Sequence, residues 1–199
     1  PSVLGNFKSR YPDVEIRLRV SNTDGVVAMV ERNDIDLGVV EGPVSNKKLA
    51  VEVNRIDRLV AVVPLGHPLA SQRTATLEEL VCYPYIAREE GSGTREVIAE
   101  RLRSAGLDEA DLNVTMELGS PESVKGAVEA GMGISILSYT TIAKELQLGT
   151  LVALNLSPPM ERPFSFVHQK QKFRVRVMVE FLESARIYCA NESAVQTRL

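Results

Sequence analysis

Cysteine and histidine are scarce in this 199-residue sequence, with Cys82 and Cys189 the two thiols and His67 and His168 the two imidazoles. Two cysteines so far apart make no disulfide framework, and neither a CxxC nor a His-rich spacing offers a zinc site. They read as reduced thiols of a cytoplasmic protein. No run of about 18 apolar residues occurs, so no membrane-spanning helix is expected. Neither sign of charge dominates: Lys+Arg 23 against Asp+Glu 26 leaves a net charge of −3. That balance argues against a nucleic-acid surface spread over the whole chain, which needs clustered Lys and Arg. An initiator Met and a signal peptide are also lacking, and the opening at Pro1 suggests a removed upstream segment. What is present is ordinary for a globular chain, 44% hydrophobic and 25% charged. The length suits one large domain or two lobes of about 100 residues.

Periodicity favours two lobes. Val3, Leu4, Phe7 and Tyr11 lie at helical spacing. Pro12 then stops the helix, since a proline disfavours helical geometry in the residue before it. Val14–Val20 alternates apolar and charged residues strictly, as a strand with one wet face does. Ser21-Asn22-Thr23-Asp24 offers caps for a helix carrying Val26, Val27, Met29 and Val30. Asp36–Val40 reads as a buried parallel strand, completing a βαβ unit. Extended runs follow at 49–54 and 58–64.

The second half repeats this order. A strand at Tyr85–Ala87 leads to Glu90-Gly91-Ser92-Gly93-Thr94-Arg95 and a helix ending at Gly106. Val114–Leu118 alternates, Ser120-Pro121-Glu122 caps a helix with Val124, Ala127 and Val128, and Ile134–Leu137 is a strand. A helix at 141–148 and a strand at 151–156 follow. Pro158, Pro159 and Pro163 mark a stiff connection before a strand at 164–168 and a last helix striped by Val175, Met178, Val179, Leu182 and Ala185. Returning that final strand and helix to the first lobe makes the chain cross twice, and such crossovers create a hinge and a cleft.

Chemistry concentrates at Ser92–Arg95. The first turn of a helix leaves N–H groups free, and its dipole favours an anion. Gly93 permits close approach, Ser92 and Thr94 add hydroxyls, and Arg95 adds a charge-assisted donor. The motif is neither a P-loop nor a dinucleotide fingerprint; the competing reading is a loop capped by Ser92 or Thr94. The turns at Ser21–Thr23 and Ser120–Glu122 occupy equivalent places after strands, where ligands bind in open α/β sheets, or act simply as N-caps. His67 and His168 lack a visible partner for general-base work. Gly-Ser-Gly is not a nucleophile elbow. Adjacent carboxylates such as Glu89-Glu90 and the basic run of Lys170, Lys172, Arg174, Arg176 and Arg186 read as solvated faces. No catalytic, metal or cofactor site emerges.

Four segments together carry a resemblance: Pro1–Val14, Asn33–Val39, Val62–Leu69 and Glu129–Leu137. In this order they resemble the effector-binding domain of LysR-type transcriptional regulators. Arg88–Arg95 is most similar to the branch controlling carbon fixation and sulfur or cysteine metabolism. The resemblance implies an α/β fold of two Rossmann-like lobes joined by two crossover strands, like type 2 periplasmic binding proteins. By this resemblance residues 1–64 and 164–199 are expected to form lobe I, lacking its first strand, and 65–163 lobe II. The winged helix-turn-helix that would contact DNA is absent from this chain. A small anionic metabolite (a carboxylate, phosphate or sulfur oxyanion) is expected between Ser21, Asn22, Thr23 and Pro64 on one side and Ser92, Gly93, Thr94, Arg95, Ser120, Pro121 and Glu122 on the other. A homodimer or homotetramer is expected through Phe7, Arg17, Arg19, Arg101 and Thr115. The alternatives are a periplasmic solute-binding protein of the same fold, or a two-lobed enzyme, which requires an acid/base pair that the sequence does not show.

Overall fold

The computed structural model describes residues 2–170 and 176–196, with side chains as far as Cys189. Pro1, Lys172, Arg174 and Val175, on which the chain start, the basic run and the last stripe partly rest, lie outside the described residues. The chain divides into two compact units. Unit 1 comprises Pro1–Val40, Val44–Arg55 and Phe164–Leu199; unit 2 comprises Glu41–Pro43 and Ile56–Pro163.

In unit 1, helix α1 (Ser2–Arg10) buries Phe7, whose ring packs on Tyr11 and meets Phe181 edge-on at 5.2 Å. Phe181 belongs to the long helix α7 (Arg176–Gln196), and the Tyr11 hydroxyl donates to Glu180 on the same helix. Helix α2 (Thr23–Glu31) lies on strand β1 (Gly38–Val40), with Val26 and Val30 packed against Val40 and Val167. A Cβ on Gly38 would stand 2.6 Å from Val26, so the missing side chain sets how closely helix and strand approach. β1 is antiparallel to the end of strand β7 (Leu151–Gln169), with Gly38 opposite Val167. A parallel strand was expected there.

The alternating segment 14–20 corrects a second expectation. It forms no strand, with Leu18 69% and Val20 90% exposed. Alternation specifies which side chains share a face, but a strand also needs a neighbour to accept and donate its ladder bonds. No described segment supplies one, so the expected βαβ unit does not form.

Unit 2 is layered. Strand β2 (Leu49–Pro64) pairs antiparallel through Leu59–Val62 with strand β6 (Ser135–Ser138). Strand β4 (Pro84–Arg88) runs parallel to strand β5 (Asn113–Leu118), and Tyr85 forms a parallel bridge to Ile134. The short strand β3 (Thr74–Ala75) pairs with β7 at Asn155–Leu156. Alternate residues of β2 feed two cores. Leu59, Ala61 and Val63 join Leu80, Ile98, Leu102, Ile136 and Leu154, while Val60 and Val62 join Val124, Val128, Leu137 and Ile142. Helices α3 (Leu77–Leu80) and α4 (Gly93–Ser104) contribute to the first core. Helix α5 (Pro121–Glu129) and the stretch leading into helix α6 (Ala143–Leu148) contribute to the second. A strand covered on both faces must be apolar throughout, which is why 59–63 reads as a continuous run. Each fully buried aliphatic side chain contributes about 1.5–3 kcal/mol.

The runs at 49–54 and 58–64 are a single strand, as are 151–156 and 164–168. Both long strands pass from one unit to the other, β2 after Arg55 and β7 after Pro163. Residues 56–64, expected in lobe I, belong to unit 2 because Leu59–Val62 pair with β6 and fill its cores. No helix among the described residues is long and apolar enough to cross a membrane.

Candidate functional site

Three turns gather at one edge of unit 2. β4 and β5 are parallel and end level, Arg88 opposite Leu118, so the turns entering α4 and α5 leave the same edge. β6 shares their direction through the Tyr85–Ile134 bridge and ends at Ser138. Carboxyl ends of parallel strands are where ligands approach α/β sheets, because helix N-termini point there.

The N-termini at these turns do different work. At α5, the Ser120 hydroxyl accepts from the Ser123 amide at 3.1 Å and also bonds the Ser123 hydroxyl, Pro121 fills the first turn, and the Glu122 carboxylate pairs with Lys125. At α2 in unit 1, the Asn22 side chain accepts from the Gly25 amide at 3.0 Å, beside buried Thr23 and exposed Ser21. Both are conventional N-caps. At α4 the capping position is Ser92, 1% exposed, and its side chain makes no capping bond. Gly91, at φ 78°, takes the left-handed turn that swings the chain from β4 into the helix. The first intrahelical bond runs from the Glu96 amide to the Ser92 carbonyl, so the amides of Gly93, Thr94 and Arg95 precede the ladder.

Behind this turn lies a buried ionic cluster. Arg162, with its side chain 2% exposed, directs Nε and Nη2 at Asp57 Oδ2, each at 2.9 Å. Its Nη1 donates to Thr94 Oγ1 at 2.6 Å. Nη2 also stands 2.8 Å from a Glu41 carboxylate oxygen. Ser138 donates to Asp57 Oδ1 at 2.8 Å, and Thr140 lies 2.8 Å from the Ser138 hydroxyl. The proton directions follow. Arginine has only donors, so Thr94 accepts from it and keeps its own proton to give elsewhere. Ser138 spends its proton on Asp57 Oδ1 and therefore receives one from Thr140.

Arg95 is committed away from this turn. Its Nε donates to Glu109 at 3.0 Å, and Nη1 donates to Glu117 at 2.7 Å and to the Arg88 carbonyl at 3.2 Å. The Glu109 hydrogen bond, with help from Glu117, holds its guanidinium above the usual value. Pro64, half-buried at the end of β2, makes no side-chain polar contact.

The residues expected at an oligomer surface divide similarly. Phe7 is buried within unit 1 and unavailable, because its ring is the centre of the α1–α7 packing. Arg17 and Arg19 are exposed, Arg17 pairing with Glu15. Arg101 donates to the Pro159 carbonyl, and exposed Thr115 to the Tyr85 carbonyl at 3.4 Å.

Asp57, Arg162 and Glu41 were missed by sequence reasoning. One signal for Arg162 was available. Leu154, Leu156, Met160 and Arg162 are buried at even spacing along β7, which places a guanidinium at an inward position of an apolar alternation. Splitting that strand at its prolines hid the pattern, and splitting β2 between 54 and 58 hid Asp57 the same way.

Residues 1–190 match the family model described as LysR substrate binding domain. The chain is 37% identical over 191 residues to the HTH-type transcriptional regulator YeiE of Escherichia coli (strain K12), covering 95% of this chain and 62% of that protein. It is 34% identical over 184 residues to the HTH-type transcriptional activator CmpR of Synechocystis, covering 92% and 60% respectively. The chain thus spans about three-fifths of the length of these relatives. Its fold is similar to that of the CcmR regulatory domain of Synechocystis PCC6803, solved in complex with 2-PG, with a TM-score of 0.87 and 30% identity over 96% of this chain and 91% of that one. The mixed α/β fold, with two crossover strands, is that of the type 2 periplasmic-binding-protein-like effector domains.

Proposed function

This chain belongs to the LysR substrate-binding domain family, and on that premise we propose that it is the effector-sensing part of a DNA-binding transcriptional regulator, taking a small anionic metabolite at the N-terminus of α4. The observation that carries this reading is the contrast between turns. Ser120 and Asn22 spend their side chains on capping, whereas buried Ser92 does not, and beside it Arg162 orients Thr94 with its proton free. Amides preceding the helical ladder, two hydroxyls and a guanidinium make an edge rich in donors, which suits a carboxylate, phosphate or sulfur oxyanion. The 2-PG named with the CcmR regulatory domain supports an anion of this size.

The relatives are named as transcriptional regulators, so the solute-binding and enzymatic alternatives are set aside. In this reading, DNA contact belongs to a helix-turn-helix outside this chain, in a cytoplasmic homodimer or homotetramer. Ligand binding shifts the population of oligomer arrangements through its differential affinity for them.

A calorimetric and thermal-shift panel of small carboxylates, phosphates and sulfur oxyanions, 2-PG included, tests the proposal against neutral isosteres. At about 100 times its dissociation constant, a binding anion adds roughly 2.7 kcal/mol of stability. Stabilisation by neutral or cationic compounds alone contradicts it.

A further inference from the structure

We propose that the Glu41 carboxylate is an exchangeable counter-ion on Arg162, which the effector's anionic group displaces; this rests on the effector site lying at the α4 turn. Arg162 carries one positive charge and faces two carboxylates, Asp57 and Glu41. The two are held differently. Asp57 is buried, accepts from Nε on one oxygen with Nη2 at 2.9 Å, and accepts from Ser138 on the other. The Glu41 side chain is 40% exposed and stands 2.8 Å from Arg162 Nη2. Its carboxylate can turn into solvent at little cost, because exposed ion pairs contribute little.

Charge arithmetic makes exchange, rather than addition, the economical event. An anion arriving beside Glu41 would place a third negative group on a single guanidinium, whereas replacing Glu41 keeps the number of anionic groups on it at two. The incoming group would inherit Nη2 of Arg162 together with the free Thr94 proton, two donors whose oxygen-bearing partner must be an acceptor. Arg162 then selects for negative charge, and Glu41 sets the affinity threshold by competing for it.

Glu41 sits in a telling place in the chain. Glu41–Pro43 belongs to unit 2, although Val40 before it and Val44 after it belong to unit 1. The Arg162 ion pair is a polar bond that fixes this three-residue segment to unit 2. Displacing the carboxylate removes that bond, so occupancy of the anion site is read out in the backbone of residues 41–43.

The test is titration of the wild-type chain, Glu41→Gln and Ser92→Ala/Thr94→Val with inorganic phosphate and with 2-PG, by calorimetry, alongside hydrogen exchange of the residue 41 and Gly42 amides. Removing the competitor is expected to tighten anion binding about three- to tenfold. Without any anion, the residue 41 and Gly42 amides of Glu41→Gln should exchange as fast as those of the anion-loaded wild type. Unchanged or weakened binding in Glu41→Gln, while Ser92→Ala/Thr94→Val abolishes binding, overturns the counter-ion role and leaves the site standing. Full binding by Ser92→Ala/Thr94→Val, or no binding of either probe by any of the three, overturns the site and this inference together.

Discussion

Arg162 Nη1 donates to the Thr94 hydroxyl oxygen across 2.6 Å, joining strand β7 to the first turn of helix α4. An arginine cannot accept, so this contact fixes the direction of the Thr94 hydroxyl and leaves its proton for a ligand. The same guanidinium is neutralised by Asp57. The proposed anion site and the buried ion pair therefore share the Arg162 guanidinium, and a change to the pair should be felt at the α4 turn.

Replacing Asp57 with Ala leaves the buried Arg162 charge with the half-exposed Glu41 as its remaining carboxylate partner. Removing one partner of a buried pair costs about 3–5 kcal/mol. Urea unfolding should show a loss of that size, and Arg162→Met in the same background should recover part of it. A loss below 1 kcal/mol would show that the pair is solvated.

Ser120→Ala and Ser92→Ala should separate capping from binding. Ser120 bonds the Ser123 amide, so its loss costs about 1 kcal/mol of stability and leaves anion affinity alone. Ser92 makes no capping bond, so its loss should lower anion affinity with little change in unfolding midpoint. The reverse pattern would make Ser92 the structural residue.

Most of the helices in unit 2 were legible in the sequence, because caps and apolar stripes at Ser92–Gly106 and Ser120–Val128 are local signals. The strand lengths were not. Prolines at 158, 159 and 163 suggested a break, yet β7 continues through them, because pairing with other strands decides a strand's extent. The candidate site was half legible for the same reason. Ser92 and Thr94 announce themselves beside glycines, whereas Arg162 and Asp57 come from positions distant in sequence and become partners only once β2 and β7 fold. Arg95 shows the converse: the sequence displays a guanidinium at a helix start, and the fold places Glu109 and Glu117 around it.

Arg95→Ala should confirm that assignment. Its ion pairs are partly exposed, so their loss should cost less than about 1 kcal/mol. Anion affinity measured by calorimetry should stay within twofold of wild type. A tenfold loss, equivalent to about 1.4 kcal/mol, would return Arg95 to the site.

Burial of the Tyr85 phenol pushes its pKa up from 10.0 to about 12. The folded state therefore resists its ionisation while the unfolded chain ionises normally. This contribution is fully present below pH 10 and is lost as pH rises towards 12, amounting to roughly 2–3 kcal/mol. Urea unfolding between pH 8 and pH 11 should show the decline, and Tyr85→Phe should flatten it. Parallel curves for the two proteins would contradict the assignment.

The claim on which all else depends is that the α4 turn binds the anion, and calorimetric titration of the Ser92→Ala/Thr94→Val double variant with 2-PG or phosphate tests it most directly. The double variant should unfold at nearly the wild-type urea midpoint and lose at least tenfold in anion affinity. An anion titration indistinguishable from wild type would place the ligand elsewhere.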